Sequence, residues 1–383
     1  MKIIMVSDVY FPRVNGVSTS IETFRTDLAA EGIQVELIAP HYPQPHDSTT
    51  VWRVPSRRVP FDPEDRLMKR RRLDHTLRQV ASTGVDLIHI QTPFAAHYSG
   101  VRAARHYGVP VLATYHTHFE EYFHHYLPLL PRRMLAGIAR HLARSQCNGL
   151  DAVVVPSGAM RDTLSSYGVT APLHVLPTGI PIAQFANGDG LQFRHRHDIP
   201  LDRPVALYVG RVAHEKNIGF LLEAMVHAIR QLPALMLVIA GEGPALAGLR
   251  QQADELKLTE HMRFVGYLDR KTELPNCYAA ANVFTFASCT ETQGLVLLEA
   301  MAAGLPVLAL ARMGTCDIVE PQRGAIAASG NPTAFGNELA HLVRDKDQLT
   351  QLAADAKSFA TGWSSPERAR QLARLYRTLV NQV

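Results

Sequence analysis

The chain has 383 residues, 46% of them hydrophobic and 19% charged, with a formal net charge of +4. That length predicts two or three domains, each able to bury its own core, and the composition fits an ordinary soluble protein and excludes a disordered chain. The basic excess sits in the first half: residues 1–180 carry 19 Lys and Arg against 15 Asp and Glu, and the remainder carries 20 of each.

From the amino terminus, short β-branched runs alternate with helical patterns. The runs are KIIMVSD, QVELIAP, VDLIHIQ, VPVLATYH and DAVVVPS, then PVALYVGR, LMLVIAGEG, MRFVGYL, ANVFTFAS and LPVLAL. Continuous apolar strands separated by helices predict parallel sheets covered on both faces, in α/β doubly wound units. Ten strands divide into two sheets of five. The Gly- and Pro-rich stretch Leu176–Gly190 reads as the connection between them. A last helix is expected from WSSPERARQLARLYRTLV, with Ser364 or Ser365 as cap and Pro366 in its first turn. The expected domains are therefore 1–180, 181–362 and a closing helical segment, 363–383, returning to the first domain.

Cys147, Cys277, Cys289 and Cys316 show no CxxC spacing, so neither a zinc knuckle nor a disulfide framework is supported, and a reducing cytosol is the expected home. The start MKIIMVSDVYFP is too short an apolar stretch for a signal peptide, and no run elsewhere approaches ~18 apolar residues. The Asp345–Asp347 pair in VRDKDQ lies at a polar helix start and reads as surface.

Ligands of doubly wound sheets bind outside the carboxyl ends of the strands. One such end is FTFASCTETQGLVLLEAMAAGLPVLAL, Phe284–Leu310. Here a buried strand runs into a loop bearing Glu291, then into a helix that opens at Gly294, Leu295 and Val296 and carries Glu299. A helix N-terminus suits phosphate. Two carboxylates beside it suit hydroxyls, those of a sugar and a ribose.

The pair Glu291 and Glu299, set in GLVLLEAMAAGLPV, resembles the signature of the family-four glycosyltransferases, retaining enzymes of the GT-B fold. The resemblance extends along almost the whole chain, through NGV, YHTHF, LYVGRVAHEKN, VIAGEGP, VGYL and the closing helix. It implies two Rossmann-like domains facing across a cleft, with the nucleotide sugar on the second and the acceptor on the first. Arg211 and Lys216 match the pair that holds the donor diphosphate, a role suited to a planar fork and a point charge facing a leaving group that gains negative charge. The resemblance gives Glu299 the ribose hydroxyls, Glu291 the sugar, Gly294, Leu295 and Val296 backbone amides, and Tyr267 and Leu268 the base. Gly16 matches the loop residue that approaches the phosphates, and His116 the histidine that reaches the transferred sugar. The family works without a bound metal or other cofactor. Its reaction keeps the anomeric configuration, the acceptor entering beside the departing diphosphate and losing its proton to a phosphate oxygen.

Each charge has a plainer reading, Glu299 as an exposed helix residue and Arg211 with Lys216 as a solvated turn. The tract HTHFEEYFHH, with His118, His124 and His125, could suggest a metal, but spacing along one loop does not bring ligands together. For the acceptor, the segment Tyr126–Gln146 mixes Leu, Met and Ile with Arg132, Arg133, Arg140 and Arg144. Such a segment can lie on an anionic bilayer, which points to a lipid acceptor and a peripheral place on the inner face of the cytoplasmic membrane. The alternative is a core-facing helix with a solvated arginine face.

The motifs are most similar to diacylglycerol α-glucosyltransferases and GDP-mannose-dependent α-mannosyltransferases. The expected activity is hexose transfer from UDP-glucose to a lipid such as diacylglycerol, with GDP-mannose transfer as the alternative. A UDP-sugar epimerase is more remote, since no acid and base carboxylates face the sugar beyond Glu291. A nucleic-acid partner is not expected, because the basic segments lack a stacking platform or recognition motif. Oligomeric state leaves no mark in the sequence.

Overall fold

Strands buried on both faces must be flanked by helices, and the computed structural model, which describes residues 1–43, 51–59, 62–116 and 132–382, divides into two α/β units. The first unit comprises Met1–Gly179 and Ser365–Val383, and the second Ile180–Ser364.

The first unit contains β1 (Lys2–Val6), β2 (Gln34–Pro40), β3 (Val51–Val54), β4 (Ser56–Val59), β5 (Asp62–Met68), β6 (Leu87–Ile90), β7 (Val111–Thr114), β8 (Ala152–Val155) and β9 (Leu173–Val175). Seven of these form a parallel sheet in the order β3-β2-β1-β6-β7-β8-β9, while β4 and β5 make a separate antiparallel pair. In β1 the residues Ile3 to Val6 are all fully buried, as a central strand between two helical layers requires.

The second unit contains β10 (Val205–Val209), β11 (Met236–Ala240), β12 (Met262–Gly266), β13 (Val283–Phe286), β14 (Val307–Ala309) and β15 (Ala325–Ala327), all parallel, in the order β12-β11-β10-β13-β14-β15. Among the described residues the expected five and five strands thus become seven and six. The unforeseen members β3, β9 and β15 all lie at sheet edges, where strands are short and half exposed.

The chain leaves the first unit after Gly179 and rejoins it at Ser365. Beside that crossing, Ile180 donates its N–H to the carbonyl of Trp363 at 2.9 Å and forms a parallel bridge with Ser364. The final helix, Ser365–Val380, places Ala369, Leu372, Ala373 and Tyr376 in the core of the first unit. Tyr376 Oη meets His89 Nδ1 at 2.6 Å, and His89 Nε2 meets Thr114 Oγ1 at 2.7 Å. Burial pushes the His89 imidazole down to about 3, so the ring is neutral at ordinary pH.

Candidate active site

In the second sheet the strand order reverses between β10 and β13, which makes the loops after these two strands the expected binding crevice. Those loops carry Arg211 and Lys216 on one side and Glu291 on the other. Lys216 Nζ donates to Glu291 Oε1 at 2.5 Å, across 75 residues of sequence, and both side chains are mostly buried. Arg211 stands nearby in sequence but is half exposed, with Nη1 3.8 Å from Glu215 Oε1. Its carbonyl accepts from Tyr208 Oη at 3.1 Å. Burial, then the charges of Glu291 and Glu215, hold the Tyr208 phenol well above its usual range, so it is a neutral donor here.

Two glycines shape the loops around this crevice. A Cβ on Gly241, at the end of β11, would stand 1.9 Å from the carbonyl oxygen of Gly210, so no side chain fits between the loops after β10 and β11. Gly294 adopts φ 94°, a left-handed conformation that places it before the helix Leu295–Ala302. No side chain caps that helix and no acidic residue occupies its first turn. The Leu295 and Val296 amides therefore begin a helix whose N-terminal charge is open to an anion.

Glu299 is fully buried, which overturns its plainer reading as an exposed helix residue. Its Oε2 accepts from Tyr278 Oη at 2.9 Å, and its Oε1 forms an ion pair with Arg270 Nη2. The Arg270 guanidinium also lies 5.4 Å over the Phe185 ring. Neither Arg270 nor Tyr278 was singled out from the sequence. The available signal was the charged turn DRKTE directly after VGYL, where Asp269 accepts from the amides of Lys271 and Thr272 and shapes the loop. In that loop Tyr267 is exposed and Leu268 is buried.

In the first unit the order reverses between β1 and β6. Gly16 opens the helix Gly16–Leu28, with Asn15 Oδ1 accepting from the Ser18 amide at 2.8 Å, and apart from its chain neighbours and its own helix backbone no atom of the described residues lies within 4 Å of where a Gly16 Cβ would stand. Asp8, just past β1, accepts from Thr92 Oγ1 at 2.8 Å and from the Ala96 amide, tying the strand end to the start of the helix Ala95–Tyr107. Burial raises its carboxyl to about 6 against these hydrogen bonds. His116 Nε2 stands 2.9 Å from Gln91 Oε1, and burial pushes the imidazole down to about 4. With His97, also pushed down to about 4 by burial, and Gln146, it lines a cavity of about 30 Å³.

The helix Arg132–Cys147 turns Leu135, Ala139, Ala143 and Cys147 to the core, an i, i+4 stripe. Arg140 and Arg144 are exposed, Arg140 lying over the Tyr167 ring at 5.6 Å. Met134 and Ile138 are exposed on the same helix. The side chains of Arg132 and Arg133, and the residues His118, His124, His125 and Tyr126–Pro131, lie outside the described residues. Among the described residues no group of three His, Cys, Asp or Glu side chains is placed to hold a metal, and no helix is long and apolar enough to cross a membrane. Asp345 caps the helix Lys346–Thr361, accepting from the Gln348 amide at 2.9 Å, in keeping with its surface reading.

Residues 14–184 match the family model "Glycosyltransferase Family 4", and residues 191–359 match "Glycosyl transferases group 1". The chain is 34% identical over 319 residues to the alpha-monoglucosyldiacylglycerol synthase of Streptococcus pneumoniae, covering 81% of this chain and 71% of that one. It is 29% identical over 382 residues to a GDP-mannose-dependent alpha-mannosyltransferase of Mycobacterium tuberculosis, covering 95% and 93%. Sucrose-phosphate synthase from Thermosynechococcus elongatus shares the fold, with a TM-score of 0.80 at 22% identity over the full length of both chains. The paired units of parallel sheet, the two family models and these relatives together establish that the chain belongs to the family-four glycosyltransferases of the GT-B fold.

Proposed function

We propose that the protein is a retaining α-glycosyltransferase that moves a hexose from a nucleotide diphosphate sugar to a membrane lipid, with UDP-glucose and diacylglycerol as the first pair. The observation that carries this reading is the Lys216–Glu291 pair at the reversal of the second sheet, beside the uncapped start of the helix Leu295–Ala302. Lys216, Arg211 and the Leu295 and Val296 amides would receive the diphosphate and stabilise the charge that grows on it as the sugar departs. Glu291, already drawing Lys216 close, would accept from a sugar hydroxyl. Neutral His116 would meet the transferred sugar as a hydrogen-bonding group, and Gly16 would leave room for phosphate.

Same-face substitution, with the acceptor proton passing to a phosphate oxygen, is the reaction that the family resemblance implies for these residues. Positive side chains and helix amides supply the countercharge that a metal provides elsewhere, which supports a metal-independent reaction. The acceptor reading draws on the name of the Streptococcus pneumoniae relative and on the exposed Arg140, Arg144, Met134 and Ile138. It also implies a peripheral position on the inner face of the cytoplasmic membrane. GDP-mannose is the second donor, favoured by the near full-length match to the mannosyltransferase.

Thermal unfolding with saturating UDP, GDP, UDP-glucose and GDP-mannose tests the donor. A ligand at a hundred times its Kd adds about 2.7 kcal/mol. Stabilisation by uridine compounds alone supports the first pair, and stabilisation by guanosine compounds alone replaces it with mannosyl transfer. No response from any of the four would overturn the donor site. Transfer to diacylglycerol in the presence of a chelator, with the anomeric configuration of the product read by NMR, then tests acceptor, metal independence and retention. Sugar released or epimerised without an acceptor would count against the acceptor reading, activity lost in chelator against metal independence, and a β-linked product against retention.

A further inference from the structure

Glu299 raises a question of access. The family resemblance gives it the ribose hydroxyls, yet its carboxylate is fully buried. Its two oxygens have unlike neighbours. Oε2 accepts from Tyr278, which is itself buried and wedged against Phe185 and Phe284 at ring-centroid distances of 5.8 and 6.0 Å. That neighbour belongs to the core and has nowhere to go.

Oε1 is buried too, and among the described residues no donor lies along a hydrogen-bond direction to it. Its charged neighbour is the Arg270 guanidinium, whose side chain is 26% exposed. The Arg270 backbone is anchored, since its carbonyl accepts from Gln184 Nε2 at 2.7 Å and the turn after it is closed by Asp269. The long side chain is what can swing. A carboxylate only accepts hydrogen bonds, so a guanidinium and a ribose diol, both donors, compete for the same oxygen.

Resting on the donor reading of Glu299, we propose that Arg270 is a specificity-determining residue of the donor site. Its guanidinium holds Glu299 Oε1 until a ribose diol replaces it, and this exchange sets how strongly the protein prefers ribose. Arg270 lies on the same loop as Tyr267 and Leu268, so the residue that yields and the residues assigned to the base move as neighbours on one short segment. Because the guanidinium must leave an ion pair before the diol can bind, Arg270 lowers nucleotide affinity while keeping the buried carboxylate paired in the interval.

The test is the Kd of UDP, GDP and their 2′-deoxy analogues, measured by calorimetry on the native chain and on Arg270→Met and Arg270→Lys. The quantity read is the ratio of deoxyribose to ribose Kd for whichever base binds. Arg270→Met removes the competing donors at similar length, and the ribose preference is expected to rise about tenfold. Arg270→Lys should fall between it and the native chain. A ratio that drops in Arg270→Met would mean that Arg270 stays and orients Glu299, and an unchanged ratio would mean it takes no part; either overturns the proposal. A ratio of one in the native chain and in Arg270→Met alike overturns the donor reading of Glu299 itself, a result separate from an unchanged ratio above one. If Arg270→Met does not fold, Phe185→Leu, which removes the ring under the guanidinium, joins Arg270→Lys, and both should raise the ratio by a smaller factor.

Discussion

Lys216 and Glu291 neutralise each other at 2.5 Å in a mostly buried setting, while Arg211 keeps a looser contact with Glu215 and more exposure. Arg211 is the more solvent-exposed of the two cations assigned to the diphosphate. Arg211→Ala should lower kcat about a hundredfold while donor KM changes little, as expected for a group that acts mainly on charge developing in the transition state. Steady-state kinetics with unchanged turnover would remove Arg211 from that role. At this scale the sequence was legible for the chemical type of each residue and much less so for its partner. The pairing of Lys216 with Glu291 depends on β10 lying beside β13, which no spacing along the chain reveals. Arg270 stayed hidden for the same reason. The burial of Glu299 did leave a trace, because LVLLEAMAAG is apolar on every side, and a helix without a polar face has no exposed position for a glutamate.

Among the elements, the helix Leu295–Ala302 depends on the backbone of Gly294. An alanine there would have to adopt φ 94°, and its Cβ would stand 3.1 Å from Thr315 Cγ2. Gly294→Ala is expected to cost about 1–3 kcal/mol of stability and to weaken nucleotide binding, since relief of the strain turns the Leu295 and Val296 amides. Denaturant melts and nucleotide titration check the two effects, and a variant with native stability would show that the turn tolerates a side chain. The helix Arg132–Cys147 combines both sequence readings, an apolar stripe in the core and exposed arginines beside exposed Met134 and Ile138. If it meets an anionic bilayer, Arg144→Glu should reduce sedimentation with phosphatidylglycerol vesicles several-fold at low salt, with little change on neutral vesicles. An equal loss on both would point to damage of the helix instead. The central strands were legible as unbroken apolar runs. The edge strands VWRV, LHV and AIA were not, because an edge residue has one open side and its sequence carries less of the hydrophobic signal.

At the scale of the molecule, the three buried histidines with strongly lowered imidazoles among the described residues, His89, His97 and His116, all belong to the first unit. Each binds fewer protons when folded than when unfolded between its lowered value and the ordinary 6.5. Their stabilising contribution is full above that value and is lost as pH falls below it. Asp8, raised to about 6, acts in the opposite sense, with its contribution present in acid and lost as pH rises through that value, but it is one group against three. By pH 5, His89 alone should cost the first unit about 2 kcal/mol. Calorimetry from pH 7.5 to 5 should show the transition of the first unit falling with acid and flattening in His89→Gln. Nucleotide should raise the transition of the second. A single pH-insensitive transition would contradict the assignment.

The return of the final helix to the first unit also has a meaning for biosynthesis. Ribosomes release the chain from its amino end, so the seven strands of the first sheet exist as polypeptide long before Ala369, Leu372, Ala373 and Tyr376 emerge to complete its core. The second unit, continuous from Ile180 to Ser364, has all its residues available sooner. The first unit is thus completed only by residues made after the second, and a chain cut before Ser365 would leave the first unit open while the second is whole.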